Sequence, residues 1–122
     1  MSQSNSILKD KSFAFAIEVV KAYQLLVEEQ REFIMSKQLL RSGTSVGANI
    51  REAKNAESLN DFIHKLGISQ KECDETIYWL ELLKETDYLN NDEFDNLSDQ
   101  ANQILKMIRS TILTIKQKNL KS

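Results

Sequence analysis

Apolar residues recur in four stretches of this chain at alternating spacings of three and four, with polar residues between them. Over 12–30 the stripe is Phe13, Ile17, Val20, Gln24 and Val27, flanked by Ala16 and Tyr23, with Ser12 placed as an N-cap. Over 36–56 it is Leu39, Gly43, Val46, Ile50 and Ala53; over 59–84 it is Phe62, Leu66, Ser69, Cys73, Ile77 and Leu80. The stretch 91–117 is the most regular, with Phe94, Leu97, Ala101, Ile104, Ile108, Thr111 and Ile115. Alternation of three and four is the repeat by which helices interlock side by side. Asp92, Glu93 and Asp95 open the last stretch and Lys116 and Lys118 close it, matching the helix dipole at both ends. The breaks are short, so neighbouring helices run antiparallel. The pattern predicts one all-α domain over 1–122, an antiparallel up-down-up-down four-helix bundle.

Two helices carry more apolar residues than one buried stripe uses. Phe15, Val19, Ala22 and Leu26 line up away from the first stripe of helix 1. Ile68, Trp79 and Leu82 do so on helix 3, with Glu72 and Glu75 interleaved. A lined-up set with Phe, Trp and Leu on a soluble helix marks an interface. Phe15, Val19, Leu26, Ile68, Trp79 and Leu82 are therefore candidate contacts in a homo-oligomer; the alternative is that supercoiling or helix rotation brings part of these stripes inside. Helix 2 carries Arg41, Ser45, Asn49 and Glu52 at spacings of four, four and three, all on one face. That set predicts a desolvated network in which Arg41 or Asn49 meets Glu72, Glu75 or Glu52, between helices or between subunits. Gly43 and Gly47 form a G-x-x-x-G pair that permits close helix approach.

Composition supports the helical reading: the chain has no proline and three glycines. Its net charge of −2 is unevenly spread, with ten acids and two bases from Lys71 to Asp99, then five bases and no acids from Ala101 onward. Helix 2 is basic on part of its surface, so Lys37, Arg41, Arg51 and Lys54 are candidate nucleic-acid contacts. Cys73 is the only cysteine and falls on an apolar stripe, as a small core residue suited to a reducing cytoplasm. No run is long and apolar enough for a membrane span. GTSVG lacks the ending of a phosphate loop, and His64 is the only histidine, too few for a carboxylate-bridged metal bundle. Catalysis, a metal, a cofactor and a small-molecule substrate are not expected.

The run SKQLLRSGTSVGANIREA at 36–53, followed by DFIHKLGISQKECDETIYWLELL at 61–83, resembles the bacterial four-helix-bundle family of 23S rRNA intervening-sequence proteins. Arg41, Ser45, Asn49, Ile50 and Glu52 match its Arg-x-x-x-Ser-x-x-x-Asn-Ile-x-Glu core, and Phe62, Glu72, Glu75 and Trp79 its later pattern. The resemblance spans about 13–115. It implies a cytoplasmic bacterial protein that forms a four-helix bundle and a five-fold ring; the expectation for this chain is a non-catalytic scaffold or binding module for structured RNA. Relatives include the basic accessory protein of diversity-generating retroelements. The alternative it implies is a nucleic-acid-binding subunit of a reverse transcriptase or another RNA enzyme.

Overall fold

The protein is represented by a computed structural model that describes the backbone of residues 3–121 and the side chains of residues 7–119. It holds four helices: α1 (Gln3–Glu28), α2 (Met35–Ala53), α3 (Leu59–Glu85) and α4 (Asn91–Lys121). Each helix packs on the next, and α4 closes back on α1. Paired residues run in opposite numerical order across every seam. Val19 meets Gly43 while Ser12 meets Gly47; Ser69 meets Val46 while Thr76 meets Ser42. Cys73 meets Ala101 while Lys84 lies over Phe94. The bundle is therefore antiparallel and up-down-up-down, as the periodicity predicts.

The core is built from the expected stripes in three helices. Leu39, Val46, Ile50 and Ala53 of α2, Leu66, Cys73 and Leu80 of α3, and Leu97, Ala101, Ile104 and Ile108 of α4 are all buried. Helix α1 corrects the sequence reading on two counts. It starts at Gln3, so Ser12 is not a cap: it lies mid-helix, 1 % exposed, with its hydroxyl donating to the Lys9 carbonyl at 3.0 Å. Its two stripes are also exchanged. Leu8, Phe15, Val19 and Leu26 are the buried set, whereas Phe13 and Ile17 are 54 % and 42 % exposed and Gln24 faces solvent. Phe15, Val19 and Leu26 thus belong to the protomer's own core and not to a subunit interface.

The reason lies in α2. A Cβ on Gly43 would sit 2.8 and 2.9 Å from the Val19 methyls, and one on Gly47 would sit 3.2 Å from the Ser12 carbonyl oxygen. The G-x-x-x-G pair is an intramolecular seat for the α1 stripe that places Ser12 and Val19 opposite it. The stripe with Ser12 and Val19 fits that seat. The stripe with Phe13 and Gln24 does not, and burying Gln24 would also leave its amide in want of partners.

Caps and turns hold the ends. Arg31 and Asp87 take left-handed backbone (φ 56 and 69) in the turns after α1 and α3, positions where glycine is the usual residue. Beyond Arg31, the Glu32 carboxylate turns onto the start of α2. Oε2 accepts from the Ile34 and Met35 N–H groups, both at 3.1 Å, and Oε1 from Ser36 N–H at 2.7 Å. Ser58 accepts from Asp61 N–H at 3.0 Å to cap α3. Asn90 and Glu93 exchange side-chain-to-backbone bonds of 2.9 and 2.8 Å to cap α4.

Candidate interaction surfaces

The exchange of stripes on α1 leaves a large apolar surface outside. Phe13 and Ile17 stand on it, with Val20 and Val27 half-buried beside them. Between α1 and α2 the surface dips into a groove of about 410 Å³ lined by Phe13, Ala16, Thr44, Gly47, Ala48 and Arg51. The Arg51 guanidinium lies 5.4 Å from the centre of the Phe13 ring, a cation–π arrangement that half-covers the aromatic without hiding it. The same close α1–α2 approach that buries Val19 leaves only small side chains on the groove floor.

The polar face of α2 has a different fate. Arg41 reaches α3, where Nη1 donates to both Glu72 oxygens at 3.3 Å and Nη2 pairs with Glu75 Oε2. Glu75 Oε2 also accepts the Trp79 indole N–H at 2.9 Å. That indole bond first, then Arg41, holds the Glu75 carboxyl below its ordinary range, and the bond to Glu75 keeps Arg41 firmly charged. The predicted network exists, but it lies within one chain, and the Arg41 side chain is 47 % exposed, so it is not desolvated. Ser45 and Asn49 do not join it: Ser45 Oγ donates to the Arg41 carbonyl at 2.6 Å and Asn49 Nδ2 to the Ser45 carbonyl at 2.9 Å. Glu52 instead accepts from Lys65 at 3.2 Å.

On α3, Ile68, Trp79 and Leu82 are half-buried rather than open. Trp79 packs against the core and edge-on to Tyr78, at 5.0 Å between ring centres. Beneath them runs a seam of buried hydroxyls. Ser69 Oγ donates to the Val46 carbonyl at 2.8 Å, and Thr76 Oγ1, which donates to the Glu72 carbonyl at 2.7 Å, lies 3.0 Å from Ser42 Oγ. Cys73 Sγ donates to the Ala101 carbonyl at 3.3 Å, and burial pushes its thiol up to about 12, so it stays protonated.

Two features escaped the sequence reading. Glu32 is 8 % exposed; burial pushes its carboxyl up, but the N–H groups of Ser36, Met35 and Ile34 outweigh this and hold it below the ordinary range. The second is a charge gradient along the bundle. The pairings above place 18–42 and 75–99 in one half, with twelve acids and five bases. They place 3–17, 43–74 and 100–121 in the other, with eleven bases and six acids. The four candidate nucleic-acid contacts divide accordingly. Arg51 and Lys54 lie in the basic half, while Lys37 and the already paired Arg41 lie in the acidic one. Among the described residues, no helix is long and apolar enough to cross a membrane.

Fold and surfaces together define an all-α, antiparallel four-helix-bundle protein whose distinguishing features are an outward apolar stripe on α1 and a charge gradient along the bundle. A profile described as 23S rRNA-intervening sequence protein matches residues 4–110, and the chain belongs to that family. A crystal structure at 1.70 Å of a protein with unknown function from the S23 ribosomal protein family of Bacteroides thetaiotaomicron VPI-5482 superimposes with a TM-score of 0.89. The two are 50 % identical, over 90 % of this chain and 98 % of that one. A comparison with curated proteins finds no match.

Proposed function

We propose that this protein is a non-catalytic module that assembles with itself, in a ring of five copies, and serves as a scaffold or binding module for structured RNA. The observation that carries the reading is the outward α1 stripe, where Phe13 and Ile17 remain half-exposed although the bundle is otherwise complete. Burying such side chains against another copy stabilises an assembly by roughly 25 cal/mol for each Å² of apolar area removed from water. The small-residue groove beside it lets a neighbouring helix approach closely. The ring size follows the family resemblance. The RNA reading rests on the basic half, where parallel copies in a ring would gather Arg51, Lys54 and the α4 lysines on one rim. Affinity for phosphates gathered that way falls steeply with salt.

Native mass spectrometry of the untagged protein, purified at low salt, tests both parts. Five copies retaining RNA that is shed as salt rises is the expected spectrum. Single chains at every concentration, or pentamers that never retain or take up RNA, would remove the corresponding half of the proposal.

A further inference from the structure

A second groove, of about 280 Å³, opens on the opposite side of α1, between its C-terminal half and the start of α4. Leu25, Leu26, Leu89 and Leu97 line it, and Leu25 is 46 % exposed. Glu18, Glu29 and Glu93 line it with a single base, Lys21, 3.7 Å from Glu18, so the lining keeps an excess of negative charge. The whole groove belongs to the acidic half of the bundle. An occupant suited to it is an amphipathic helix with an apolar side chain among bases.

The basic half displays such a helix. On α4, Lys106, Arg109, Leu113 and Lys116 recur at spacings of three, four and three, which puts them on one face. All four are exposed, Leu113 by 57 %. No acid follows Asp99 on α4 itself; of the three bases, Arg109 has Asp74 of α3 at 3.8 Å.

We propose that the groove between α1 and α4 receives the Lys106–Arg109–Leu113–Lys116 face of α4 from a second copy of this chain. Leu113 enters among the leucines while the bases reach the glutamates on the rim. Groove and stripe are different surfaces, so the contact is heterologous, and every copy that donates a stripe keeps a free groove. It joins the acidic half of one copy to the basic half of another. The contact therefore competes with any polyanion for the basic half and weakens as salt screens it. It uses none of the residues of the outward α1 stripe, so either contact can fail without the other.

The test is sedimentation velocity of the full chain, freed of nucleic acid, carrying Ile17→Asp so that assembly through the α1 stripe does not contribute. Association is expected at about 20 mM salt and should weaken roughly tenfold by about 300 mM. Glu18→Lys with Glu29→Lys should abolish it, and so should Lys106→Glu with Lys116→Glu. An equimolar mixture of the two reversed chains should associate again, because the unaltered stripe of the first meets the unaltered groove of the second and their two reversed surfaces match each other. Leu113→Asp should prevent association even at low salt, with helicity by circular dichroism unchanged. Association of each reversed chain at the parent's strength, or a mixture that stays unassociated, overturns the proposal.

Discussion

Helix α1 meets its two neighbours in opposite ways. Against α2 the contact is so close that Val19 fills the space a side chain at position 43 would need. Against α4 the helices part toward one end and leave a groove edged by carboxylates. Both seams carry a groove, and what sets the first apart is the tight contact at Gly43 and Gly47. The difference teaches that the apolar stripe a helix buries is selected by its tightest neighbour. With Gly43 and Gly47 opposite, the stripe that brings Val19 and Ser12 against them goes inside, and the stripe of Phe13 and Ile17 is left at the surface. The exposed face is a consequence of the packing that makes the fold.

Several substitutions would break or sharpen this contrast. The largest effect is expected from Gly43→Ala, whose new methyl must displace Val19 and should cost about 1–3 kcal/mol in chemical denaturation. Val19→Ala in the same chain should recover part of that loss, since both changes act on one contact. A Gly43→Ala protein that unfolds like its parent would contradict the close approach.

Next comes Glu32, whose carboxylate satisfies three N–H groups at the start of α2. Glu32→Ala should cost roughly 1 kcal/mol at neutral pH, the scale of a lost helix cap. Its carboxyl is held below its ordinary value in the folded chain. The contribution is therefore complete above the ordinary carboxylate range and disappears as pH falls through the lowered value. Denaturation of parent and variant should converge in acid, and a constant gap down to that pH would argue against the cap.

Smaller effects test the open regions. A Cβ on Gly67 meets nothing within 4 Å, so Gly67→Ala should stabilise α3 by about 0.5–1 kcal/mol. Ala22→Leu, directed at the groove between α1 and α4, should change stability by no more than about 0.5 kcal/mol. A loss of several times that size would mean that this seam is as tight as the other. Thermal melts of the two variants beside the parent decide both.

Most of the architecture was legible because α2 and α4 each carry one clean stripe and the chain has few turn-forming residues. Helix α1 was misread because periodicity finds stripes and cannot rank two of them. Two residues held the missing information: Gln24 argued against burial of its own stripe, and Ser12 matched Gly47 across the seam. The spacing of Arg41, Ser45, Asn49 and Glu52 showed one face of α2, with Glu72 and Glu75 on α3 as partners, and Arg41 does meet both glutamates. Whether they meet within one chain depends on the α2–α3 register, which sequence spacing does not contain. Glu32 had no visible signature, since its role needs the left-handed turn at Arg31 to swing the carboxylate onto the next helix. The charge gradient was written in the sequence as an acidic stretch and a basic tail. It became an axial gradient only when the antiparallel pairing set the two at opposite ends.

On the reading proposed above, the displaced stripe of α1 is covered by another copy of the chain. Light scattering on the parent and on Ile17→Asp, at moderate salt, tests it most directly. The parent should have a mass several times its 14.1 kDa chain, and Ile17→Asp should fall to one chain with its helicity intact. A parent that stays at the mass of one chain, or an Ile17→Asp protein that keeps the parent's mass, would contradict it.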